Sequence, residues 1–500
     1  MHAGPAVRPL PPQKLMPAGR DFAVSIAILV LIVAALWIGW TGFIASDDAS
    51  YYQGAALWVA DPPFPGGDHW TTRFPLVLSL AAAIAVTGGG EIALALTALF
   101  WFVAFLLTGL ALAASIGDRR TVFVTSILLG TLPLTATIAS FVNCDLPEVT
   151  FLGLGMLALM PEAAGRAARP RAALAAGFCF GLAILCRETA VLALSGLGAI
   201  FLLGRPVSRR SLLIAAAGAA AVLGGEMLFQ WWASGDPLHR YSLALNHDEA
   251  IDRAANLEGN LLVHPLVDPL LVLLVNNEFG LLFWLAGAAL IAGAHRRLAP
   301  EQRRQLALLA ALGLAAALLV AVLFDFLVLN PRYFTVTVLP AALLPALWLG
   351  QLDRRWRFLL LGAIVSTNLL LLSAQNANPR WPATALARAA AEHPDRTIVA
   401  SAKLVHFAEL PLQWSGLRNV ASSAPGAGSL YLVEEAEGAG RVLARYPSPP
   451  RPIGTLVTRL GLASLLPDGI VERLVRPNPT MLLIDRPAFL RGPGAAKHKE

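Results

Sequence analysis

Six clusters of arginine and lysine punctuate this chain, with long apolar runs between them. The clusters are Arg8/Lys14/Arg20, Arg119/Arg120, Arg166/Arg169/Arg171, Arg205/Arg209/Arg210, Arg296/Arg297/Arg303/Arg304 and Arg354/Arg355/Arg357. Loops on the cytoplasmic side of a membrane collect such residues. If every cluster is an inside anchor, an even number of crossings must separate neighbours. The runs 121–141 with 146–163, 211–232 with 279–294, and 305–329 with 333–350 meet that parity. With 56% of residues hydrophobic and 14% charged, the chain reads as an α-helical polytopic membrane protein. The formal charge of +6 lies in the anchors rather than along one polar face, which argues against a nucleic-acid partner.

Two stretches decide the number of crossings. Residues 172–203 are almost continuously apolar, with basic flanks on both sides and CRET near the middle. A single helix there would be roughly 48 Å long and would end on the wrong side of a core about 30 Å thick. Two short helices turning at Cys186–Thr189 satisfy both length and charge, which places Arg187 and Glu188 at an outer apex. Before Arg119, three apolar runs, 22–44, 74–87 and 91–116, compete for two crossings. The shortest, FPLVLSLAAAIAVT, suits an interfacial or re-entrant helix, with Pro75 near its start. The count is then about eleven spans, the last being 357–374. Residues 1–21 become a cytoplasmic segment, 22–374 a membrane unit with a large outer loop at 45–90, and everything after 375 extracytoplasmic. That tail alternates short apolar runs (TIVAS, LYLVEE, TLVTRL, MLLIDRP) with turn-rich stretches and predicts a small soluble α/β domain.

Under this topology the acids and arginines gather on one side: Asp47, Asp48 and Arg73, then Asp145 and Glu148, Arg187 and Glu188, and finally Arg332 and Tyr333. The inner loops are short and basic, so chemistry is expected at the outer membrane boundary. The chain contains no GxxxxGK[ST] phosphate loop, no HExxH and no CxxC pair. Its three cysteines, Cys144, Cys179 and Cys186, have neither a disulfide framework nor zinc spacing and read as unpaired. Plainer readings stand beside these. The SDD of SDDASYY suits a helix N-terminus, Arg73 and Arg187 could be snorkelling anchors, and Asp68-His69 reads as a solvated turn. Glu226, inside an apolar run, is a functional candidate by position alone.

Five ordered segments carry a resemblance: SDDASYYQGA, TTRFPLVLSLAAAIAVTGGGEIAL, NCDLPEVTFLGLGMLAL, GLAILCRETAVLAL and NPRYFTVTVLPA. They resemble the motifs of the polyprenyl-phosphate-sugar glycosyltransferases of the GT-C fold, the group of the protein O-mannosyltransferases and lipid A aminoarabinose transferases. The match covers mainly 45–200 and 325–350. It departs from the family pattern at Asp48, where Glu is common, and at Arg73 and Arg187, where Lys is common; charge is kept at all three. The resemblance implies transfer of a sugar from a polyprenyl-phosphate donor to an acceptor hydroxyl, by a single inverting displacement. The acceptor would be a glycan, a glycolipid such as lipid A, or a protein, met at the outer face of the inner or plasma membrane. By family position Asp47 is the catalytic base, Arg73, Arg187, Arg332 and Tyr333 bind the donor phosphate, and Asp48 and Asp145 bind sugar or acceptor. No cofactor is required by these segments, and a divalent cation would be held only if acids on separate loops fold together. The rival class is a transporter or flippase of a lipid-linked or anionic substrate. It would place its important charges at mid-depth, and the paired repeats common in such proteins are not found.

Overall fold

The computed structural model describes residues 18–246, 267–327, 330–375, 378–423, 428–435, 441–475 and 478–485. Seven described helices are long and apolar enough to cross a membrane. They are α1 (Ala18–Gly39), α4 (Gly90–Ile116), α7 (Asp145–Ala163), α10 (Arg209–Ser234), α14 (Pro300–Leu327), α15 (Thr335–Gln351) taken with the 3₁₀ turn Pro331–Phe334 that leads into it, and α16 (Arg354–Ala374). The chain is an α-helical polytopic membrane protein with a small five-stranded sheet near its C-terminal end. A helix is what an apolar run must form in lipid, where no water can satisfy backbone amides.

The remaining expected crossings fall on shorter elements. The run 172–203 is two helices, α8 (Pro170–Cys186) and α9 (Ala190–Leu203), with Arg187 extended between them. Residues 74–87 form the isolated helix α3 (Phe74–Thr87), with proline in its first turn. The run 121–141 is not one helix. It breaks into α5 (Arg119–Thr131) and α6 (Pro133–Ile138) because Leu132, preceding a proline, is extended (φ −60°, ψ 129°). The run 279–294 yields only α13 (Leu282–Ile291), followed by a 3₁₀ turn at Ala294–Arg297. Three more short helices line the loops: α2 (Asp47–Ala60), α11 (His239–Asn246) and α12 (Asp268–Val275). Of the unmatched stretch 233–278, residues 247–266 lie outside the described residues.

Close helix contacts use small residues, as packing within lipid requires. A Cβ at Gly177 of α8 would stand 2.0 Å from the Ala215 carbonyl oxygen of α10, so no larger residue fits without separating the two helices. The main buried cluster runs from Tyr51 and Leu76 through Phe102, Phe105 and Leu129 to Phe334 and Leu339. A second cluster, around Trp381, Leu386, Ile398, Leu430 and Leu483, belongs to the C-terminal part. There α17 (Trp381–Glu392) and α18 (Ala402–Trp414) pack beside a sheet of order β2-β1-β3-β5-β4. Strands β1 (Ile398–Val399), β2 (Val420–Ala421) and β3 (Leu430–Glu434) are parallel. Strands β4 (Arg441–Tyr446) and β5 (Met481–Asp485) complete the sheet antiparallel. Helices α19 (Pro452–Arg459) and α20 (Asp468–Val475) are inserted between β4 and β5.

Candidate active site

The site begins where α1 hands over to α2. Ala45 adopts the left-handed conformation (φ 51°), costly for a residue with a Cβ, and the Asp47-Asp48 pair follows at once. Asp48 holds this kink from both sides. Its carboxylate oxygens accept hydrogen bonds from Ile44 N (2.7 Å) and Ser46 N (2.8 Å), and the side chain is buried. Successive helical residues point about 100° apart, so Asp47 faces another way. Its Oδ2 meets Arg332 Nη1 at 3.3 Å, joining segments 285 residues apart in sequence. Side-chain exposure is 31% for Arg332 and 27% for Asp47.

Behind this open pair lies a closed one. Arg187, in the extended link between α8 and α9, donates to Asp145 and lies 3.9 Å from Glu148 Oε2, both acids being in the first turn of α7. The Arg187 and Asp145 side chains are only 8% and 2% exposed. Tyr333 contributes its ring, whose centroid is 4.1 Å from the Arg187 guanidinium carbon. Arg73, at the N-terminus of α3, donates to the Tyr51 hydroxyl and lies 3.4 Å from Cys144 Sγ. It makes no ion pair among the described residues, and its Nε finds no partner. The cluster thus carries one guanidinium without a carboxylate of its own.

Asp48 and Asp145, expected to bind sugar or acceptor, are turned inward and occupied: Asp48 by backbone amides, Asp145 by Arg187. Burial accounts for both arrangements, since a buried carboxylate must be paired or hydrogen-bonded. Asp47, Arg73, Arg187, Arg332 and Tyr333 do come together. Among the described residues no group of three or more His, Cys, Asp or Glu side chains is placed to hold a metal ion.

Two charged residues went unread in the sequence, and a third was read without a role. Arg240 is fully buried and donates to Thr72 O (2.5 Å), Ile184 O (3.1 Å) and Glu188 Oε1 (2.6 Å). It ties the loop between α2 and α3 to the end of α8 and the CRET link, and its only sequence signal is an arginine outside the six basic clusters. Glu278 has a buried, unpartnered Oε2, while its carbonyl accepts from Leu134 N at 2.8 Å. Glu148 stood in a quoted segment without a role.

Burial alone would raise the Asp47 carboxyl, but the Arg332, Arg73 and Arg187 guanidinium groups outweigh it and hold the group below its usual value. Asp47 therefore stays ionised at neutral pH. Burial pushes Asp48 up to about 6, although the Ile44 and Ser46 amides oppose it. Burial also lifts Glu278 to about 7, against the pull of Arg332. Glu188 goes the other way, as Arg240 and Arg73 overcome its burial.

An expected pH effect follows. Above about pH 6 the Asp48 carboxylate accepts from both amides; below it one oxygen becomes a hydroxyl and the kink is re-set, although the fold as a whole gains stability because the raised carboxyl takes up its proton more readily folded than unfolded. Activity should fall as pH drops through about 6, while Asp47 is still charged. Asp48→Asn, measured over pH 5–8, should lower activity and flatten that limb. An unchanged limb would assign it elsewhere.

The sequence matches no known family model and shows no significant similarity to a curated protein. Its fold does have solved counterparts. ArnT from Cupriavidus metallidurans in the apo state superposes with a TM-score of 0.58 at 12% identity, over 85% of this chain and 97% of that one. The same protein bound to undecaprenyl phosphate gives 0.58 at 13% identity, over 96% and 100%. The chain has the GT-C fold. An oligosaccharyltransferase from Archaeoglobus fulgidus, with zinc and sulfate, gives 0.48 at 17% identity, over 76% of this chain and 61% of that one. At 12–13% identity the likeness to ArnT establishes the fold alone.

Proposed function

We propose that this GT-C protein is a membrane glycosyltransferase that moves a sugar from a polyprenyl-phosphate donor to an acceptor hydroxyl on the extracytoplasmic face. The observation that carries the reading is the half-open Asp47–Arg332 contact beside the Arg73 and Arg187 guanidinium groups. A carboxylate held ionised next to surplus positive charge is what such a transfer needs. Asp47 takes the proton as the acceptor oxygen attacks the anomeric carbon. The bond from that carbon to the phosphate oxygen breaks, its electron pair stays on the phosphate, and the cations stabilise the charge that develops there. A single displacement of this kind inverts the anomeric centre.

Arg73, Arg187, Arg332 and Tyr333 are assigned to the leaving phosphate; Asp48 and Asp145 are assigned to positioning, through the α2 kink and Arg187. Beside Arg73 a largely apolar pocket of about 410 Å³, lined by Phe74, Pro75, Leu78, Trp101 and Phe229 with Glu226 the one charged residue on its wall, suits a prenyl chain. The ArnT structure with undecaprenyl phosphate supports a donor of that class.

Lipid-linked sugar profiles of membranes with and without the gene test the reading. One donor should accumulate when the protein is missing, and no change in any lipid-linked sugar would overturn it. At residue level, Arg73→Gln should raise the KM for the donor by about 10–100-fold, the worth of a hydrogen bond to a charged group. The acceptor KM should not move. Unchanged donor saturation would remove Arg73 from the phosphate site.

A further inference from the structure

The C-terminal part hides its apolar residues well, with one exception. Of the seven large apolar side chains exposed among its described residues, five lie in the α19–α20 hairpin: Leu456, Leu460, Leu462, Leu465 and Ile470. The other two, Val442 and Leu443, sit on the short strand β4. Leu456 and Leu460 are four residues apart and share one helix face. Leu465, in the turn between the helices, is 78% exposed. Five such groups gathered on one small hairpin expose apolar surface that is costly to keep in water.

The hairpin is not remote from lipid. Arg451, at the start of α19, donates through Nη1 to Ser373 O at 2.9 Å, and Ser373 is in the last turn of the apolar helix α16. Both α19 and α20 pack against α16, and Leu370, one turn before its end, is itself exposed. Gly454 brings α19 against the Leu474 carbonyl of α20, where a Cβ would be 2.5 Å away, so the two helices form one plate.

We infer that the α19–α20 hairpin lies in the bilayer interface with Leu456, Leu460 and Leu465 buried among lipid headgroups and upper acyl chains. Continuity with the end of a membrane-crossing helix selects lipid over a protein partner. A short amphipathic element of this kind binds in the plane of the interface. Its effect is to fix the height of the sheet over the membrane, whatever reaction the protein performs.

The test uses the full chain in phospholipid nanodiscs, spin-labelled at Leu465→Cys or at His406→Cys. His406 is a water-facing control on α18 with a side chain 75% exposed. Unsubstituted protein gives the background from the native cysteines, of which Cys144 and Cys186 are buried. The label at 465 should be relaxed more by oxygen than by a water-soluble nickel chelate, and the label at 406 the reverse. A 465 label as open to nickel as the control would overturn the inference. So would a 465 label shielded from both reagents, because protein would then cover the face. Both positions are exposed, so neither substitution threatens folding, and the readout does not depend on catalysis.

Discussion

Asp47→Asn is expected to leave a folded, membrane-inserted protein whose kcat for sugar transfer falls by about 10²–10⁴-fold, the usual worth of a positioned general base. The two side chains have the same shape, so the α2 start and its Asp48 clamp remain. Arg332 keeps 31% of its side chain exposed and can be solvated once its partner is neutral. A pair this open contributes only about 0–1 kcal/mol. Turnover at saturating donor, alongside thermal melting in detergent, separates the two effects. Full turnover in a well-folded variant would take the base assignment away from Asp47.

Arg187→Gln should behave in the opposite manner, damaging the fold before the chemistry. It strips the cation from Asp145 and Glu148, both closed to solvent. Removing one partner of a buried pair costs about 3–5 kcal/mol, because the remaining charge has lost its compensation. The variant should melt far below the parent protein, and Asp145→Asn in the same chain should recover a large share of that loss. A coupling energy near zero in the double-mutant cycle would show that the guanidinium does not hold the α7 acids. If the double variant folds, its KM for donor then reports on Arg187 as a phosphate ligand.

Sequence reasoning read the large features because each rests on length, charge or proline. The long apolar runs between basic clusters, the turn at Arg187 and the proline-started helix α3 are of this kind. The break inside 121–141 was missed because Pro133 sits within an otherwise apolar run, where hydropathy outweighs backbone geometry. The site was half legible. Order along the chain said which charges gather on one side, but not which partner each takes. Asp47 and Asp48 are adjacent and chemically alike, yet helix geometry sends one to Arg332 and the other to backbone amides. Arg240 and Glu278 come from a stretch without periodicity or motif, and only their tertiary partners mark them.

The link just ahead of Asp47 is also gripped from the C-terminal part. Arg380 donates to the Ile44 carbonyl and stacks on Phe407, while the Trp414 ring meets Phe43 at 5.3 Å and Tyr52 at 5.1 Å, edge to face. The tail is therefore a strut for the α2 start rather than a passenger. Cutting the chain after α16, or grafting a foreign tail in its place, would free the joint that aims Asp47. Any chimera meant to redirect this protein has to carry the arginine and the tryptophan along with whatever else is exchanged.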